Sequence, residues 1–420
     1  MTSVEKSQAV HFALDIGEQL LVCGGEVGRA EDTVARICTA YHAIRVDAFA
    51  IMSAITVTVT WEDGSVISQG RRIKNPKKNM HRLERLNALS RRVCSESVPL
   101  SEARSEFLKI MQKDPFSLGR ELLGAILISL SCTLFFGGTW RDAVVAPLVG
   151  VAIVFTQILN AKLGGNRMLS QMMCAFIATT IAILGVTLQV GSSVEQIMIG
   201  CIMILIPGIA FTHAVENMIT GDTLSGLLSV CEALFVALAL AGGFAVSMVL
   251  FGGLLPEGAL GTTAVTVHPA IGIFTAGVMA VGFALLFGLH GRELIVVGIG
   301  SALTWSIYLL IHWLTEGNIA LATFVAAVFG SVAAIWCAQI LKAPKTVFLF
   351  PLLVSLVPGS ELYRTMQAAL SGRETDMAGS GKRTLVFALA IALGIIVSVV
   401  YQQAQLKIKG YLLAKKEQKK

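Results

Sequence analysis

Charge is the scarcest property of this sequence. Of its 420 residues, 14% are Asp, Glu, Lys or Arg, whereas 55% are hydrophobic and the mean hydropathy is +0.73. A fully water-exposed surface cannot be built from that composition, so a lipid-facing surface is required. Cysteine pairing is lacking too. The eight cysteines (Cys23, Cys38, Cys94, Cys132, Cys174, Cys201, Cys231 and Cys337) show no C-x-x-C spacing, and five of them fall in apolar helices. This excludes a zinc ribbon or a disulfide framework and leaves reduced packing residues. No H-E-x-x-H, no H-x-x-x-H and no Ser-His-Asp spacing occurs, so neither a metal nor another cofactor is expected. A signal-peptide core is likewise missing: residues 1–8 are polar and lead into an amphipathic segment, which predicts a cytoplasmic N-terminal domain.

The charge that is present is unevenly placed. About half of the charged residues lie before position 118, and long stretches beyond it carry almost none. The net charge of +6 does not point to nucleic acid, because the basic residues are dispersed apart from Arg71 to Arg92 and the tail Lys407 to Lys420. A Lys-rich tail beside a bilayer reads as a cytoplasmic anchor facing anionic headgroups.

Residues 1–117 read as a soluble α/β domain. Val10, Leu14, Ile16, Leu20 and Leu21 recur at near-helical spacing up to the breaker Gly24-Gly25, and a second helix is expected over Arg29 to Ala40. The β-branched run from Asp47 to Thr60, the turn Glu62-Asp63-Gly64 and the return Ser65 to Gln69 predict one hairpin. Two polar helices split near Pro99 follow, between Pro76 and Met111.

From Leu118 onward apolar stretches recur at about 20 residues, enough to cross a hydrocarbon core. Ten spans are expected, near 119–138, 143–160, 168–190, 196–219, 225–252, 269–288, 293–314, 319–340, 346–370 and 384–402. The fold class is therefore a helical polytopic membrane protein with a cytoplasmic N-terminal domain. With that domain inside, cytoplasmic loops hold Lys162, Arg167, Arg292, Lys342, Lys345 and the tail 407–420, as the positive-inside rule requires for an inner-membrane protein with both termini cytoplasmic. The loop with Arg373, Lys382 and Arg383 breaks the rule.

An internal repeat organises the membrane part. Pro207-Gly208 and Pro358-Gly359 each precede a closing glycine, Gly221 and Gly372, by the same distance, and Gly165-Asn166 and Gly317-Asn318 stand at nearly matching positions upstream. Two five-span units follow, 118–252 and 269–406, and an odd number of spans inserts the second upside down, a transporter architecture. Pro-Gly inside a span frees backbone groups at membrane depth, which a polar solute or neighbouring helices must satisfy. His213, Glu216, Asn217 and Thr220 share one helical face near the first break, and Glu361 with Arg364 does so near the second, with His213 and Arg364 at equivalent positions. These residues bind solute or carry protons, or else pair among themselves to fix packing. Glu232, alone in its apolar helix, is a candidate proton carrier. Asp222 and Ser225 either face a solute in a re-entrant turn or cap a helix. Gly242-Gly243 and Gly252-Gly253 permit close packing within one chain or in a homo-oligomer.

Cys23-Gly24-Gly25-Glu26-Val27-Gly28-Arg29-Ala30-Glu31-Asp32-Thr33, the hairpin Ala54 to Gly70 and the stretch from Pro207-Gly208 through Asn217, Thr220-Gly221-Asp222 and Ser225-Gly226 resemble the threonine/serine exporter family. The resemblance covers nearly the whole chain, in a form that fuses a soluble domain to two related five-helix units. It implies efflux of small hydroxy amino acids driven by the proton gradient, with dicarboxylate efflux as the alternative found in some members. A membrane-tethered hydrolase with its site in 1–117 is the reading from another class. The scattered His11, His42 and His81 and the lack of a nucleophile–base spacing argue against it.

Overall fold

The computed structural model describes all residues except 1, 75–78, 97, 113–116, 206–217, 219–220, 257–266, 342, 371–373 and 418–420. The chain forms two compact units.

The first unit begins with α1 (Ser3–Val22), whose Val10, Leu14, Ile16, Leu20 and Leu21 are buried as the spacing predicts. Thr2 and Glu5 form a capping box at its start. After α2 (Val27–Ala40) comes an antiparallel meander, β1 (Ala43–Ile51), β2 (Ala54–Trp61) and β3 (Val66–Arg72), in the order β1-β2-β3. One hairpin was the expectation, but the β-branched run is broken at Met52-Ser53, where Ile51 pairs with Ala54. The reason is visible in burial. Phe49 has the same parity as Ile55, Val57 and Val59, yet it is exposed while they are buried, and a continuous strand would place all four on one face. The helices α3 (Met80–Glu96) and α4 (Leu100–Gln112) complete this fold, split next to Pro99 as expected.

Gly17 lets α1 approach closely. A Cβ there would lie 2.5 Å from Val34 Cγ2 and 2.9 Å from Ile55 Cδ1. Gly17→Val is expected to cost about 1–3 kcal/mol by overpacking, read as faster amide exchange across β2 in the full-length protein.

The second unit is helical: α5 (Leu118–Phe135), α6 (Trp140–Lys162), α7 (Arg167–Thr187), α8 (Val194–Ile202), α9 (Thr223–Phe251), α10 (Pro269–Leu286), α11 (Arg292–Leu314), α12 (Ile319–Leu341), α13 (Lys345–Leu353), α14 (Gly359–Leu370) and α15 (Glu374–Glu417). The first turns of α9 and the loop residues 287–289 cluster with the first unit instead. Among the described residues, eight helices are long and apolar enough to cross a membrane, and α13 with α14 makes a ninth, bent by 57° at its break. Of the fourth expected span, 196–219, the described part includes α8, with residues 206–217 and 219–220 outside the description. The segment 374–383 is not the expected loop: it is the first turns of α15, which carry Lys382 and Arg383.

Helix contacts recur at matched positions. A Cβ on Gly243 of α9 would lie 2.8 Å from Ala175 Cβ and 2.9 Å from Phe176 N of α7; one on Gly394 of α15 would lie 2.6 Å from Ala327 Cβ and 2.9 Å from Val328 N of α12. Gly243 and Gly394 are separated by the spacing that separates Pro207 from Pro358, and the partner residues stand equally far beyond Asn166 and Asn318. Both asparagines accept a backbone N–H at the start of their helices, from Met168 at 2.9 Å and Leu321 at 3.0 Å.

A candidate solute site beside the Pro358 break

Pro358 cannot continue α13, and it ends a 3-10 turn over Val354–Leu356. The chain restarts at Gly359, and the Pro358 carbonyl accepts from Leu362 N at 3.0 Å. Glu361 thus falls in the first turn of α14, where the helix dipole favours a carboxylate. One turn later Arg364 projects from the same face. Its Nη1 lies 3.7 Å from Glu361 Oε1 and its Nε 3.4 Å from Oε1 of Glu195 on α8. Arg383 of α15 donates through Nε to Glu361 Oε2 at 3.0 Å. Two carboxylates and two guanidinium groups thus alternate along a chain Glu195, Arg364, Glu361, Arg383.

The two ends of this chain differ most in exposure: Arg383 is half exposed and the Glu195 side chain is 1% exposed, with Glu361 and Arg364 between them in accessibility. A carboxylate that deep is tolerated when a cation stands beside it, and the cation here is itself 29% accessible. Tyr363 backs the cluster, buried and packed edge-on against Phe244 of α9 with ring centroids 5.6 Å apart.

Asp142 is a useful contrast. It is fully buried at the start of α6 and accepts from Ser192 N at 2.6 Å, Ser193 N at 2.9 Å and Thr139 N at 2.8 Å. These amides fix it as the anchor of the loop that leads into α8. The Glu195 carboxylate, by contrast, stands beside a guanidinium carried on a long side chain of another helix.

Residues 11–251, more than half of the chain, match the family model described as "Putative threonine/serine exporter". The chain belongs to the threonine/serine exporter family. It is therefore a membrane transporter of that family, and residues 272–401 match the companion model "Threonine/Serine exporter, ThrE". Among curated relatives, a "Probable threonine/serine exporter" of Mycobacterium tuberculosis is 23% identical over 82% of this chain and 65% of its own length. "Probable succinate transporter subunit YjjP" of Klebsiella aerogenes is 25% identical over 59% of this chain and 96% of its own length; the Escherichia coli protein of that name is 24% identical over 60% and 98%. No solved structure matches the chain.

Of the expected site residues, Pro358, Gly359, Glu361 and Arg364 are brought together with Glu195 and Arg383, which sequence reasoning missed. Pro207, Gly208, His213, Glu216 and Asn217 lie outside the described residues. Asp222 accepts from Ser225 N at 3.1 Å and caps α9, the second of the two readings, and Ser225 is buried in its first turn. Glu232 is corrected. It is not isolated: Arg167, at the start of α7, forms an ion pair with it, and its side chain is 36% exposed. The long Arg167 side chain reaches down α7 to a carboxylate one helix away, so the isolation that made Glu232 a proton carrier does not exist. Glu232→Gln is expected to change stability by no more than about 1 kcal/mol, as for other partly exposed pairs, measured by thermal unfolding in detergent. In the first unit, His11 Nδ1 sits 2.8 Å from Arg71 Nη2, a link between α1 and β3.

Proposed function

We propose that this protein is a secondary transporter exporting small hydroxy amino acids, threonine or serine, in exchange for protons across the inner membrane. The observation that carries the reading is the Glu195–Arg364 pair next to the Pro358 break. Arg364 offers a planar two-donor fork to the solute carboxylate. Displaced from that fork, Glu195 offers an anionic oxygen to the solute ammonium. A zwitterion satisfies both groups at once.

Two five-helix repeats of inverted topology would let one half rock against the other around this site. The matched close approaches of Gly243 of α9 to α7 and of Gly394 of α15 to α12 support that reading. Topology has support as well. Residues 221–230 and 287–289, which cluster with the N-terminal domain, both fall on the cytoplasmic side of the ten-span arrangement. That agrees with cytoplasmic termini.

A second reading, export of a dicarboxylate such as succinate, is favoured by Arg383, a second guanidinium one carboxylate away from Arg364. The YjjP relatives fit it too. The two readings part on charge. Efflux of preloaded label from exporter-deficient cells expressing the protein is expected to be faster for threonine and serine and to stop when the proton gradient is collapsed. Acceleration of succinate efflux alone would reverse the assignment.

A further inference from the structure

The carboxylates of the helical unit differ in what they tie together. Asp142 accepts from Ser192 N and Ser193 N, and Glu232 pairs with Arg167, all within residues 118–252. Glu361 pairs with Arg383 and Arg364, all within residues 269–406. Glu195 and Arg364 meet at 3.4 Å across that division, from α8 to α14, with the Glu195 side chain 1% exposed.

The helices that pack most on α8 are α5, α6, α7 and α14. Toward Glu195, α6 brings Asp142, and α14 brings Glu361, the buried Tyr363 and Arg364. The charges of α5 and α7, Arg120, Glu121 and Arg167, lie in their first turns, whereas these helices meet α8 and the loop before it from their last turns, at Thr133 and Val186. Arg364 is therefore the described cation that faces Glu195. It has a second counterion as well. Glu361 stands 3.7 Å away on its own helix and is in turn bonded by the half-exposed Arg383 at 3.0 Å.

We propose that Glu195 carries the coupled proton and that its pair with Arg364 is a clasp that keeps the empty transporter from rocking. The inference rests on the transport reading and assigns its coupling to one residue. A clasp between opposite charges on the two segments opens in two ways. A zwitterionic solute inserts, giving its carboxylate to Arg364 and its ammonium to Glu195. A proton instead neutralises Glu195, and Arg364 keeps Glu361 as its counterion. Ammonium and proton need the same carboxylate, so each excludes the other and the site moves with either but not with both. One solute leaves for each proton taken up outside by Glu195 and released to the cytoplasm. The pair with its zwitterion is neutral, and the protonated pair carries one positive charge, so each cycle moves one positive charge inward.

The test uses the full-length protein in sealed vesicles, with the potential clamped at zero by potassium and valinomycin and the interior more acidic than the medium. Wild type is expected to accumulate labelled threonine about tenfold for each pH unit of gradient, the ratio that one proton per solute, about 1.4 kcal/mol, sustains. Glu195→Gln keeps an acceptor for the ammonium but cannot take the proton. It is expected to lose accumulation, to exchange threonine more slowly and with no effect of pH, and to release threonine without a proton gradient, because the clasp is gone. Glu195→Asp keeps the acid and is expected to restore accumulation at a lower rate. A hydrophobic carbodiimide, which attacks protonated carboxyl groups at membrane depth, is expected to label Glu195 in wild type and to be blocked by saturating threonine; this readout needs no variant to fold. Accumulation by Glu195→Gln at the wild-type ratio, a folded Glu195→Gln that neither accumulates nor exchanges threonine, or labelling of Glu195 that threonine leaves unchanged overturns the inference, while exchange by wild type keeps the transport reading standing. A folded wild type that moves no threonine, serine or succinate overturns the transport reading and the inference with it.

Discussion

Replacing Arg364 by alanine is expected to abolish transport and to destabilise the protein at the same time. Glu195 would keep a carboxylate at 1% exposure with its guanidinium partner gone, and breaking one side of a buried pair costs about 3–5 kcal/mol. The two effects separate in combination. Glu195→Gln together with Arg364→Gln replaces the pair by neutral polar groups and leaves no buried unpaired charge, so folded protein should return while transport does not. Glu195→Gln alone retains the fork and should still bind the solute carboxylate, with weaker discrimination in favour of a zwitterion over a dicarboxylate. Efflux rates normalised to folded protein, measured by size-exclusion profile and melting temperature, check all three. Full transport by the double variant would show that the pair fixes helix packing and nothing more.

The second large effect is expected at two glycines outside the site. A Cβ at Gly243 would lie 2.2 Å from the Met172 carbonyl oxygen, and one at Gly394 would lie 2.6 Å from Ala327 Cβ. Neither contact is relieved without separating two helices, so Gly243→Ala and Gly394→Ala should each cost about 1–3 kcal/mol, and leucine more. Because Gly243 and Gly394 stand at the same spacing as Pro207 and Pro358, the losses should be similar in size if the two segments are repeats. Gly379→Ala is the control. Nothing lies within 4 Å of a Cβ there, and alanine is the better helix former by about 1 kcal/mol, so stability should hold or rise. A large loss at one of the matched glycines beside none at the other would count against the repeat.

Much of the fold is legible in the sequence because apolar runs of span length and near-helical spacing need no tertiary knowledge. The helices of the N-terminal domain, eight of the expected membrane spans and the bent pair at the second Pro-Gly break follow in this way. The third strand was hidden because Met52-Ser53 carries no Asn-Gly or Asp-Gly signal, and the run on either side of it reads as one strand. The site was half legible. Glu361 and Arg364 declare themselves as charges in an apolar stretch. Glu195 and Arg383 do not, since each sits just outside the edge that hydropathy draws for its span, where a charge is assigned to a loop and to water. Asp142 is misplaced for the same reason. Glu232 failed in the other direction: helical spacing shows that it lacks a partner on its own helix but cannot show that Arg167 of α7 reaches it. Charges at span edges in this chain have partners on other helices, as Arg383 does in its bond to Glu361.

The central claim is that Arg364 holds the carboxylate of a transported amino acid. The purified full-length protein in sealed vesicles preloaded with unlabelled threonine, challenged with external labelled threonine, tests it without any ion gradient. The account predicts that label accumulates by exchange, that serine competes better than succinate, and that Arg364→Lys, which keeps the charge but loses the planar fork, exchanges at least about tenfold more slowly. Exchange by Arg364→Lys at the wild-type rate, or no exchange of threonine, serine or succinate by a well-folded wild type, would contradict it.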